Sequence, residues 1–134
     1  MRSPSASLAA IAGLVWAVGV GQALAHHSFA AQFDRDRPVK LSGTVTEMKW
    51  ANPHAWIYID VEDTDGRVVN WALETRGANN LIRLGWRKDD LPVGSPLEVD
   101  GWQARNGTPT ASVRTVTFAD GRSLFVGSPD QPAP

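Results

Sequence analysis

Three histidines hold most of the chemistry available to this chain, in two places: the pair His26-His27, and His54 within Asn52-Pro53-His54. Ala23 and Ala25 flank Leu24 just before His26, the small-residue pattern of a signal-peptidase site. Cleavage there leaves His26 at a free amino terminus, where its α-amine and ring nitrogen can chelate one ion. Cu(II) binds such nitrogen sites more tightly than other first-row divalent metals. The reference values of a free amine and an imidazole are about 7.7–8.0 and 6.5, so a metal ion displaces their protons readily near neutrality and acid weakens binding. One more imidazole would complete a T of three nitrogens. His54 suits that role better than His27, because Pro53 fixes the turn before it and a strand follows. Glu74, closing the hairpin partner of the His54 strand, is a carboxylate ligand or an acceptor for an imidazole N–H. The plainer alternative makes His26-His27 a polar start, Asn-Pro a turn initiator and Glu74 an exposed strand end.

Trp56 and Tyr58 offer a second chemistry. They alternate with Ile57 and Ile59, so one side of this strand faces a core and the other carries aromatic rings. Such rings can stack on a sugar or base, which supports a metal-free module for a glycan, peptide or envelope protein. Alternatively, the segment Phe29 to Phe33 covers the rings and brings His26 toward His54.

Composition narrows the choices. With no cysteine in 134 residues, disulfides, thiolate metal sites and a lipid-bearing cysteine are all excluded. Cleavage would remove 25 of the 134 residues and leave 109, with 12 basic and 14 acidic side chains once Arg2 is lost. That charge argues against general nucleic-acid affinity, which depends on neutralising phosphates. The apolar run from Leu8 to Gly21 is shorter than the roughly 20 residues that a membrane span needs. A periplasmic or secreted protein without a span after cleavage is expected. No nucleophile elbow, phosphate loop, dinucleotide fingerprint or zinc-protease helix is present, so the readings favour binding over turnover.

The elements that must position these residues are short strands. Val39, Leu41, Gly43 and Val45 share one face of the first run, and the apolar phase then shifts to Met48 and Trp50, which predicts a bulge near Thr46. Runs over 55–62 and 67–74 flank the turn Asp63-Thr64-Asp65-Gly66. Ala78, Leu81, Ile82 and Gly85 follow helical spacing, with Gly85 as the stop. Runs over 97–104 and 111–118 flank Arg105-Asn106-Gly107, and Leu124-Phe125-Val126 follows a last turn. Strand, strand, strand, short helix, strand, strand is the order of an OB-fold, a five-stranded Greek-key barrel. The expected organisation is a signal peptide (1–25), an N-terminal segment (26–36), an all-β OB-like barrel (37–127) and a disordered tail (128–134).

Several of these pieces together resemble a family of short exported bacterial proteins of uncharacterised function. They are His26-His27-Ser28-Phe29, Phe33-Asp34, Leu41-Ser42-Gly43-Thr44-Val45, Asn52-Pro53-His54-Ala55-Trp56-Ile57, Trp71 to Glu74, Gly85-Trp86, Val99-Asp100-Gly101 and Ala119-Asp120-Gly121-Arg122 leading to Leu124-Phe125. The resemblance implies secretion and a small β-barrel, and brings no activity or site residues with it. The nitrogen set at His26 is itself similar to the histidine brace of copper-dependent polysaccharide monooxygenases and some periplasmic copper carriers. The exported protein is expected to begin at His26. Intact mass or N-terminal sequencing checks this, and any other start removes the amine-plus-imidazole chelate.

Overall fold

A computed structural model describes residues 28–127. The expected signal peptide, His26, His27 and the tail after 127 lie outside the described residues. Two compact units divide the chain, Met1–Ala31 and Gln32–Pro134, and all the strands belong to the second. A five-residue helix α1 (Ser28–Gln32) precedes the strands β1 (Phe33–Lys49), β2 (Trp56–Glu62) and β3 (Val68–Glu74). Helix α2 (Ala78–Arg83) comes next, then β4 (Pro96–Ala104), β5 (Thr110–Phe118) and β6 (Ser123–Phe125).

The all-β expectation holds. β1 pairs antiparallel with β2 and with β4, β2 with β3, and β4 with β5. A short parallel pairing of β3 with β5, Ala72–Glu74 against Thr110–Ser112, closes these five strands into a ring. β6 adds to the other half of β5 through Thr115 to Thr117. Helix α2 stands between β3 and β4, where the sequence places it.

Alternation decides which faces turn inward. Ile57, Ile59, Leu73, Val99, Val113 and Val116 are fully buried, joined by Val45 and Leu97. In β1 the partner of Val45 is Ile59 and that of Glu47 is Tyr58, so Thr46 is the extra residue of a bulge. That bulge carries the inward phase from Val45 to Met48, which packs against the core. β5 contains a second such device. Gly101 pairs with Val113 but Asp100 with Thr115, leaving Arg114 unpaired in the ladder. The inward residues change phase there, from Ala111 and Val113 to Val116 and Phe118. The Arg114 carbonyl accepts the N–H groups of Val126 (2.9 Å) and Gly127 (3.1 Å), which anchors the chain after β6.

β1 begins at Phe33, earlier than the expected boundary at residue 37. Phe33 pairs with Ala104, then the register shifts before Pro38 pairs with Trp102. The interruption is the polar stretch Asp34-Arg35-Asp36-Arg37, which has no apolar alternation to reveal a strand. Helix α1 was likewise not expected from the sequence. Among the described residues, no helix is long and apolar enough to cross a membrane.

Helix α2 ends as its sequence suggests. Gly85 takes φ +92°, its N–H bonds the Ile82 carbonyl (3.1 Å), and the Trp86 N–H bonds that of Leu81 (2.9 Å). These are the two hydrogen bonds of a Schellman stop. Leu81, Trp86 and Leu91 then pack into the core cluster.

The tightest backbone approach within the sheet lies at Gly101, where a Cβ would collide with the Ser112 carbonyl and lie 3.3 Å from the Val113 Cα. Gly101→Ala should therefore destabilise the fold by about 1–3 kcal/mol, the usual cost of overpacking. Val93→Ala, at a loop position 73% exposed, should stay within about 0.5 kcal/mol. Urea unfolding of the two variants measures the contrast, and equal stabilities would contradict the assigned register.

Candidate functional site

The turn that carries His54 is clamped against the start of helix α2. The Ala78 N–H donates to the Ala51 carbonyl (2.9 Å), and the Asn79 N–H to Asn52 Oδ1 (3.2 Å). Helix α2 has Gly77 at its N-cap and no cap from its own side chains. Asn52 thus satisfies from a distant turn an N–H that a local Ser or Asp ordinarily would. Gly77 permits this contact: a Cβ there would lie 2.5 Å from both Asn52 Oδ1 and the Pro53 carbonyl oxygen. The Asn52-Pro53 peptide is cis.

The next residues are held as firmly. The Ala55 N–H donates to the Arg76 carbonyl (3.3 Å), and the Thr75 N–H to the Ala55 carbonyl (2.9 Å). Thr75 is 3% exposed, and its hydroxyl lies 3.0 Å from the Ala55 carbonyl and 2.9 Å from that of Arg76. His54 is therefore fixed on both sides by backbone hydrogen bonds. The Arg76 side chain extends the clamp by donating through Nε to the Gly127 carbonyl (2.8 Å).

In this frame, His54 Nδ1 lies 2.9 Å from Glu74 Oε1 and 3.2 Å from the Thr75 carbonyl oxygen. Both neighbours are acceptors, which assigns the proton of a neutral ring to Nδ1 and the lone pair to Nε2. The Glu74 side chain is 13% exposed, against 36% for His54. Cross-strand register puts Trp56 on one side of Glu74 and Ser112 on the other. Burial pushes the Glu74 carboxyl above its ordinary value of 4.5, and the positive charge of a protonated His54 pulls in the opposite direction.

The structure thus brings together two of the residues singled out in the sequence, His54 and Glu74. It places Trp56 and Tyr58 on the outward side of β2, half-buried, with Ile57 and Ile59 inward. The Lys49 ammonium lies 3.4 Å from the Tyr58 hydroxyl and 4.8 Å from the ring centre. Tyr58 pairs with Ala72 and Trp56 with Glu74, so this outer face joins aromatic and carboxylate chemistry. No group of three or more His, Cys, Asp or Glu able to hold a metal occurs among the described residues. Sequence reasoning missed Asn52, Thr75 and Gly77 as positioning residues. The unusual signal was the glycine immediately before a helix that has no Ser, Thr, Asp or Asn cap.

The arrangement is a β-sheet protein with a carboxylate–histidine pair at the mouth of a strand hairpin. The chain belongs to the DUF6152 family of unknown function, whose model matches residues 14–113. No curated protein and no solved structure matches the chain.

The Glu74 carboxyl supplies a pH test. Its folded value lies above its unfolded one, so its contribution to stability is fullest below about 4.5 and falls as pH rises through the raised value. Glu74→Gln should remove that dependence. Urea unfolding of both forms between pH 4 and 7 should show the unmutated protein losing stability relative to the variant as pH rises. A relative gain would mean that the His54 contact outweighs burial.

Proposed function

We propose that this chain is an exported metal-binding protein that holds Cu(II) through a mature N-terminal His26 and through His54, in a binding or delivery role. The observation that carries the reading is the 2.9 Å contact of His54 Nδ1 with Glu74. Metal-ligating histidines ordinarily donate their second ring N–H to a carboxylate or carbonyl, which fixes the tautomer and makes the free nitrogen a better ligand. His54 has both kinds of acceptor, and its turn is immobilised by Asn52, Thr75 and Gly77. In this reading Glu74 orients His54 rather than ligating the ion, and His27 is the reserve nitrogen. The ring of five strands, read as an OB-like barrel, is the rigid support. The signal sequence through Ala25 and a periplasmic or secreted location complete the proposal.

The outward, half-buried Trp56 and Tyr58 favour a second reading, a metal-free module that stacks a glycan or peptide, or docks an envelope protein, on this face. Copper titration separates the two. Protein starting at His26 should bind one Cu(II) with nitrogen hyperfine structure in its spin-resonance spectrum. One extra residue before His26 should weaken binding by at least about tenfold, because the amine becomes an amide, and His54→Ala should weaken it as well. Equal affinity in all three forms would reduce the copper to surface binding and leave the aromatic-face reading standing.

A further inference from the structure

A second candidate site lies at the other end of helix α2 and shares no residue with His54 or Glu74. Trp50, Ile82, Gly85, Trp86, Arg87 and Lys88 line an open cleft of about 390 Å³, within the range of small-molecule sites. Its walls are indole and aliphatic. Trp50 is half-buried against the core, while Ile82 remains 57% exposed although it is a large apolar side chain on a helix. Gly85 leaves open space where a Cβ would stand, so the floor between the walls is backbone. The left-handed φ of Gly85 turns the chain directly from the helix into Trp86 and the two cations.

Two further observations describe the wall of the cleft and the charge beside it. The Trp86 side chain is 2% exposed, and its Nε1–H has no hydrogen-bond partner among the described residues. A buried donor without an acceptor is uncommon and costly. The Arg87 and Lys88 side chains are exposed and make no ion pair or hydrogen bond among the described residues. Asp89 and Asp90 follow them in sequence, but neither lines the cleft and neither forms an ion pair with Arg87 or Lys88; Asp90 Oδ2 accepts the Arg87 backbone N–H instead (2.7 Å). Two unpaired cations therefore border an aromatic cleft in a chain whose formal net charge is −1.

We infer that this cleft binds a small organic anion, a carboxylate or sulfonate on a flat apolar body. The body lies against Trp50, Ile82 and the edge of Trp86, and the anionic group meets Arg87 and Lys88. A neutral molecule of the same shape gains only the apolar contact. A long polyanion is disfavoured by the overall negative charge.

Two dyes of similar shape test this: anilinonaphthalene sulfonate, which is anionic, and N-phenyl-1-naphthylamine, which is neutral. The purified protein should bind one equivalent of the sulfonate saturably, and more tightly than the neutral dye. Arg87→Gln/Lys88→Gln changes only exposed side chains. It should weaken the sulfonate roughly fivefold, the sum of two exposed ion pairs of ordinary strength, and leave the neutral dye unchanged. Ile82→Ser should weaken both dyes. Thermal melts that superimpose with the unmutated protein keep the comparison within the folded state. Unchanged sulfonate affinity in the double variant, equal affinity for the two dyes in the unmutated protein, or binding without saturation would overturn the inference.

Discussion

Where Gly77 passes Asn52 and Pro53, two segments 25 residues apart come too close for any side chain to fit between them. The start of helix α2, the end of β3 and the turn before β2 are all fixed by that approach. Asn52 can cap the helix only because the glycine lets it in. Ala51 and Ala55 then share backbone hydrogen bonds with residues 75 to 78, which tie the turn to the end of β3 and the start of helix α2. His54 inherits this anchoring without being buried. A histidine on an ordinary loop would lose its position to side-chain and backbone entropy; this one is held by its neighbours.

Glu74 makes the electrostatics of the site asymmetric. A carboxylate largely removed from water, between Trp56 and Ser112 in the strand register, is costly to ionise, and burial raises its proton affinity. Its partner is a histidine rather than a permanent cation, so the compensation varies with the state of the imidazole. A metal ion on Nε2 would draw electron density from the ring, strengthen the Nδ1–H bond to Glu74 and favour the carboxylate.

Helix α2 joins two surfaces of different character. Its first turn is tied to the histidine turn, and its last turn, through Gly85, forms one side of the tryptophan cleft. Trp86 reaches from that cleft into the core, with its ring centre 6.0 Å from that of Phe118. With only six residues, the helix is too short to be stable alone in water. Asn52 at one end and the burial of Leu81 and Trp86 at the other keep it formed.

Much of this was legible in the chain because it is decided locally. Alternation of Ile57 and Ile59 against Trp56 and Tyr58 defined the strand, the phase change after Val45 gave the bulge at Thr46, and Gly85 marked the helix stop. The same kind of phase change stands in Ala111, Val113, Val116 and Phe118, and it was equally readable as a bulge at Arg114. The four polar residues after Phe33 concealed the early start of β1, because a strand without alternation looks like a loop. Closure of the ring through β3 and β5 was not written in any window of sequence, and the contact of His54 with Glu74 stood there only as one of several roles open to Glu74. Periodicity and turn chemistry report what neighbouring residues prefer. Which distant backbones meet is settled by burial summed over the whole core and by places such as Gly77 and Gly101, where the chain is thin enough to let them touch.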